Sequence, residues 1–217
     1  ALGSECFVPP IKGADKKNVF AVRRLDDTKK IADVLPQVKN VIVIGGGVLG
    51  LEAAWELKKA KCHVTVLELA PVIMGRQLDE SAAQLLKKIS ENQDIEIRTG
   101  VKIAAIEGDD FVSGIRMEDG EVLPADMVVV SCGVRANTAV AKDAGIEVDR
   151  SVVVNAKMET NMEDIYACGD CAQYQGINYG LWSQAVEQGK TAGANAAGDD
   201  LEYETVLAAL NFHGMGT

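Results

Sequence analysis

Three features of the sequence predict an α/β fold, a parallel sheet covered on both faces and accompanied by an antiparallel β-meander. Val41–Ile44 is an apolar run without alternation, the pattern of a parallel strand buried on both sides. It leads through Gly45-Gly46-Gly47-Val48-Leu49-Gly50 into strong helix formers and then into a second strand-like run, His63–Glu68, so a complete βαβ crossover is present. Three short strand-like runs between Val101 and Leu123, with Asp119-Gly120 as a hairpin signal, make the meander.

In chain order, residues 1–13 read as a loop containing Pro9-Pro10, followed by a helix around Asp26 to Leu35. After strand Val41–Ile44 the segment Leu51–Ala60 is predicted helical, with Lys58 and Lys59 in the last turn where they complement the helix dipole. Asp79 is an expected N-cap for a helix to about Glu91, with Ala82, Leu85, Leu86 and Ile89 as its apolar face. Ile95–Arg98 alternates as a third strand, and the meander runs are Val101–Ile106, Phe111–Met117 and Glu121–Leu123. Ala125–Val130 returns as a buried strand, which gives the order βαβαβ, meander, β from about Val38 to Asp149. Two short strands are expected within Val152–Ala167 and a long helix from about Tyr179 to Ala197. No internal repeat is visible.

The 217 residues suffice for one large or two modest domains, and 47% of them are apolar, but no apolar run approaches the ~20 residues of a membrane span. A net charge of -10 has the wrong sign for gripping phosphate backbones or anionic lipid, so neither nucleic acid nor membrane is an expected partner. Five cysteines, odd in number and thinly spread, do not make a disulfide framework, and a reduced cytoplasmic setting is expected. Ala1-Leu2-Gly3-Ser4 has neither the basic nor the apolar region of a signal peptide, and the chain closes on the glycine-rich Phe212–Thr217. Both ends are expected to be cut points.

Gly45-x-Gly47-x-x-Gly50 follows a strand, opens a helix and is answered by Glu68 at the end of the next strand. The first glycine makes the turn, the second lets backbone approach a pyrophosphate, and the third permits close packing of helix on strand. The helix N-terminus then offers amide donors and positive dipole charge to the phosphates. This is a Rossmann-like dinucleotide site, and a carboxylate at Glu68 accepts from both ribose hydroxyls but repels a 2'-phosphate, which favours NADH over NADPH. Lys58, Lys59 and Lys61 are read as surface charge.

Four separated motifs together resemble the pyridine nucleotide-disulfide oxidoreductase family, in its NADH oxidase, rubredoxin reductase and nitrite reductase flavoprotein branch. They are Gly3-Ser4 with Pro9-Pro10-Ile11-x-Gly13, with Leu2 where the family has Thr; the fingerprint Gly45 to Glu52; Gly133-Val134-Arg135-Ala136-Asn137, with Ala136 where the family has Pro; and Thr160 with Ile165-Tyr166-Ala167-Cys168-Gly169-Asp170. The resemblance spans essentially the whole chain and implies a two-dinucleotide-binding flavoprotein with a partial second FAD-type domain. It implies NAD(H) contacts from Gly45, Gly46, Gly47, Val48, Leu49, Gly50, Glu68 and Leu69, with Gly133 lining the nicotinamide pocket. Glu52 is implied as the catalytic-site carboxylate near nicotinamide and flavin. For FAD it implies that Asp170 bonds the ribityl chain, that Gly169 permits close approach, and that the helix after Ile177 points its N-terminus at the isoalloxazine.

The implied organisation is 1–37 as the tail of a first FAD half plus linker helix, 38–149 as the NAD-binding domain, 150–198 as a second FAD segment and 199–217 as the start of a C-terminal interface domain. The implied function is to pass a hydride from NADH to FAD and on to an acceptor, with an electron-acceptor protein such as rubredoxin as a partner and a homodimer for the full-length enzyme. The one glycine fingerprint leaves the FAD site incomplete, so the chain is expected to be a fragment, inert alone. The competing reading is a stand-alone NAD(H)-binding or redox-sensing module. Cys168-Gly169-Asp170-Cys171 has the spacing of a redox pair or of half a zinc site, but the chain's two histidines, His63 and His213, complete no cluster and the Gly-Asp is accounted for by flavin, so no metal site is expected.

Overall fold

A computed structural model describes residues 1–205 and 208–215. Its backbone divides into two compact units, residues 1–5 with 134–211, and residues 6–133 with 212–215. The strands are β1 (Ser4–Cys6), β2 (Val19–Ala21), β3 (Asn40–Ile44), β4 (His63–Glu68), β5 (Ile95–Thr99) and β6 (Ile103–Glu107), continued by β7 (Gly114–Met117), β8 (Val122–Pro124), β9 (Met127–Val130), β10 (Val134–Ala136), β11 (Val152–Val154) and β12 (Ala172–Tyr174). The helices are α1 (Leu25–Val34), α2 (Val48–Lys59), α3 (Glu80–Asn92), α4 (Ala139–Asp143) and α5 (Trp182–Ala196).

In the larger unit five strands pair in parallel in the order β2-β9-β3-β4-β5. Side chains of a strand alternate between faces, and β3 shows what that does here. Val41 and Val43 join a core with Leu51, Ala54 and Leu57 of α2 and Leu86 of α3. Ile42 and Ile44 enter a second core with Ile106, Val112 and Ile115 of the meander region. All four are buried, which is why the run carries no polar alternation; at about 1.5–3 kcal/mol for each fully buried side chain, this strand anchors both layers. The α/β expectation, parallel sheet plus antiparallel β6-β7-β8 meander, is therefore what the chain adopts. Gly120 takes φ +94 in the β7-β8 turn, where Gly120 N–H donates to Met117 O at 3.1 Å.

Some elements differ from the sequence reading. Asp79 caps α3 as expected, its Oδ1 accepting from Ala82 N at 2.8 Å, but the buried face is Ala83, Leu86 and Ser90. Leu85 stands 61% exposed, because two adjacent leucines cannot both face one sheet. Within 152–167 the chain forms one strand, β11, whose partner is β12; the remainder contributes an isolated Glu159–Tyr166 bridge. Residues 4–6, read as part of a loop, form strand β1, which pairs with β10, and residues 19–21, to which the sequence reading assigned no element, form strand β2 beside β9.

In the smaller unit Val152, Val154, Met158, Ala172, Ala192 and Tyr203 form the core, and a short 3-10 turn, Gly169–Cys171, precedes β12. Of the expected C-terminal segment 199–217, positions 206, 207, 216 and 217 lie outside the described residues.

Candidate functional site

At the end of β3 the chain must turn sharply into α2, and the three motif glycines do this in different ways. Gly45 sits at φ +112, its N–H donates to Leu67 O at 2.8 Å, and a Cβ there would run into Ser131 O. A Cβ on Gly50 would run into Gly45 O, so this glycine lets the first turn of α2 lie on the loop. Gly47 is the N-cap of α2, in extended conformation with φ -80, and a Cβ there would have nothing within 4 Å. The second glycine is therefore not required by the fold, and the space in front of it is open. Val48 and Leu49 form the first turn of α2, where the leading N–H groups have no intrahelical partner. Leu49 and Leu69 are exposed at 63% and 68%.

Glu68 closes β4 with both oxygens engaged by backbone. Oε2 accepts from Gly46 N at 2.6 Å and Oε1 from Ala70 N at 2.7 Å. An ionised carboxylate has about four acceptor sites, so two bonds fix its rotamer while acceptor capacity remains. Gly46 O in turn accepts from Met74 N at 2.9 Å, and Ile73 and Glu68 crowd its Cβ position, so the loop after β4 braces the fingerprint. Sequence reasoning did not find that brace, since Ala70, Ile73 and Met74 carry no motif.

Cys132 lies beneath this loop, its thiol donating to Ile44 O at 3.6 Å. Burial, with the negative charge of Glu68 second, pushes the thiol up to about 11, which keeps it a neutral packing group. Gly133 follows at φ +89 with open space at its Cβ position, and its carbonyl accepts from Phe7 N at 2.9 Å. Glu52, half-buried on α2, accepts through Oε1 from His213 N at 2.9 Å, so the segment 212–215 returns to this helix. Lys58 and Lys59 pair with Asp94 (3.4 Å) and Glu56 (2.6 Å), as surface charges do.

Gly169 and Asp170 belong to the smaller unit. Gly169 takes φ +73, its N–H donates to Gln188 Oε1 at 2.8 Å, and Asp170 Oδ2 accepts from Ser4 Oγ at 2.8 Å. Asn178 Nδ2 donates to Asp170 O at 2.8 Å. The flanking cysteines are reduced; Cys171 is 1% exposed, its thiol donates to Cys168 O at 3.4 Å, and burial pushes the Cys168 thiol up. A thiol pushed up by burial, as that of Cys168 is, is a poor nucleophile, which counts against the redox-pair reading. Among the described residues no group of three His, Cys, Asp or Glu side chains could hold a metal ion, and no helix is long and apolar enough to cross a membrane.

The chain is similar to known proteins over most of its length. The chain is 43% identical over 198 residues to a nitrite reductase [NAD(P)H] of Bacillus subtilis, covering 91% of this chain and 25% of that protein. It is 36% identical over 216 residues to an NADH oxidase of Methanocaldococcus jannaschii, covering 95% of this chain and 48% of the relative. Among solved structures, a NAD-dependent persulfide reductase from A. fulgidus superposes with a TM-score of 0.93 at 28% identity over 98% of this chain and 41% of that one. The chain thus spans about half or less of the proteins it matches. Residues 1–189 match the model of the family described as pyridine nucleotide-disulphide oxidoreductase, and with most of the chain inside that match, this protein belongs to that family.

Proposed function

We propose that residues 38–149 are the NAD(H)-binding part of a flavoprotein oxidoreductase, with 150–198 contributing one half of its FAD site, 1–37 the tail of the other half and linker helix, and 199–217 the start of an interface domain. The observation that carries the reading is the pairing of an open Gly47 with a Glu68 carboxylate pinned by Gly46 and Ala70. A loop whose second glycine the fold itself does not need has room for a pyrophosphate, and the N–H groups opening α2, which have no intrahelical partner, are donors for it.

In this reading Gly45, Gly46, Gly47, Val48, Leu49 and Gly50 hold the pyrophosphate. Glu68, beside Leu69, accepts from the adenosine ribose diol, and Gly133 lines the nicotinamide pocket. Glu52 is the carboxylate beside the nicotinamide, and Gly169 and Asp170 receive the ribityl end of FAD. When both cofactors are bound, the nicotinamide supplies a hydride and the flavin takes it on towards an acceptor. The residues' own work is to bind, orient and exclude water. A further relative, 32% identical over 206 residues, is named an NADH-rubredoxin oxidoreductase of Clostridium acetobutylicum, which supports an electron-acceptor partner such as rubredoxin.

The reading is tested by titrating the protein with NADH and NADPH. NADH is expected to bind at least about tenfold more tightly, a difference of about 1.4 kcal/mol, and Glu68→Arg to reverse the order. Equal affinity, or NADPH preference in the unmodified protein, would overturn the assignment of Glu68.

A further inference from the structure

Helix α5 carries a stripe of buried polar side chains, with Gln184, Gln188, Thr191 and Asn195 exposed by only 1%, 2%, 7% and 7%. Buried amides cost free energy unless they are hydrogen-bonded, and among the described residues no buried side-chain nitrogen or oxygen lacks a partner. Asn195 and Thr191 spend their bonds on ordinary chain stitching: Asn195 Nδ2 donates to Lys157 O and Leu201 O, its Oδ1 accepts from Leu201 N, and Thr191 bonds Glu187 O one turn back. Gln188 reaches instead to the turn that holds Asp170.

Gln188 Oε1 accepts from Gly169 N at 2.8 Å. Gly169 is in the left-handed region at φ +73, and Ala185 of the same helix lies 3.5 Å from where its Cβ would be. Gly169 N–H therefore faces α5. Tyr203 packs on the same stripe, its hydroxyl donating to Gln184 Oε1 one turn before Gln188. On the other side of the turn Asn178 donates to Asp170 O and Ala172 O, and Ser4 Oγ donates to Asp170 Oδ2.

We propose that Gln188 is a positioning residue for the flavin half-site: by holding the Gly169 amide it keeps the turn in its left-handed conformation, and that conformation aims the Asp170 carboxylate at the hydroxyls of a ribityl chain. The proposal rests on the reading of Gly169 and Asp170 given above and adds the residue that sets them. A carboxylate that accepts from polyol hydroxyls is useful only in one orientation. A glycine, with free access to both signs of φ, does not hold that orientation unaided.

The test uses the isotope-labelled protein, with FAD as the titrant and amide exchange and chemical shift as the readouts. Gln188→Met, similar in length but lacking the acceptor, is expected to speed exchange of the Gly169 amide about ten- to a hundredfold, the range expected when a buried N–H loses its partner. It should also abolish the FAD-induced shift at Asp170 and lower the melting temperature by a few degrees, as the loss of a buried hydrogen bond does, while the amides of Thr191–Asn195 stay protected. Gln188→Glu, which keeps an acceptor oxygen, should restore both signals. Unchanged Gly169 exchange in Gln188→Met, or an equal loss of protection along the whole of α5, overturns the positioning role. FAD is added in large excess, so that binding too weak to survive gel filtration still shifts the amides; if it shifts neither Gly169 nor Asp170 in the unmodified protein, the flavin reading falls instead, and the exchange comparison, which needs no flavin, distinguishes the two failures.

Discussion

Gly47 and Gly50 stand three positions apart in one motif, and a methyl group placed on each meets opposite surroundings. At Gly50 it would run into the carbonyl of Gly45, whereas at Gly47 nothing lies within 4 Å. Gly50→Ala is therefore expected to lower the melting temperature by several degrees, through backbone displacement at the start of α2. Gly47→Val should keep the fold, losing at most about 1 kcal/mol as a poorer N-cap; thermal melts of the two variants check the contrast. Cys132 offers a pH test. Its folded-state value is raised from 9.0 to about 11, so its contribution to stability is fully present below about 9 and is lost as pH rises through about 11. Alkaline denaturation of Cys132→Ala should be less steep over that window than that of the unmodified protein. Spacing alone pointed to Gly45, Gly47, Gly50 and Glu68. The thiol beneath them and the Ala70 and Met74 amides were not legible, because Cys132 comes near only through the pairing of β9 with β3, and the two amides only when the β4-α3 loop folds back on the fingerprint.

Secondary elements were legible where local chemistry decides them. Asp79 was readable as a cap, and it caps α3; Asp79→Ala should cost about 1 kcal/mol, measured by urea denaturation. Asp27 plays a comparable part at α1, where Oδ2 accepts from the backbone N–H of Arg23 and Arg24 and these bonds hold its carboxyl below the usual carboxylate range. Its support for α1 is thus present above the ordinary carboxylate value and is lost as pH falls through the lowered one. The strands β1, β2 and β10 were not legible, because three residues hold no period and each is defined by its partner: β2 by β9, β1 by β10. The apolar face of α3 was displaced by one position for the same reason. Spacing alone does not choose between Leu85 and Leu86, and the sheet beneath selects Leu86.

Over the whole chain, 217 residues carry one complete glycine fingerprint and the Gly169-Asp170 turn, which in the proposed reading make one full dinucleotide site and part of another. Binding a ligand through half its contacts leaves the cost of immobilising it undiminished. After incubation with excess FAD and gel filtration, this chain is therefore expected to show no flavin band. A stoichiometrically yellow protein would mean that Asp170 and α5 suffice. NADH, by contrast, should need nothing beyond the larger unit. Calorimetric titration of the flavin-free chain with NADH, beside Gly47→Val melting at a comparable temperature, tests this most directly. The account predicts one saturable site in the unmodified chain and none in the variant; a chain that takes up no NADH, or a Gly47→Val variant that binds it equally well, would contradict it.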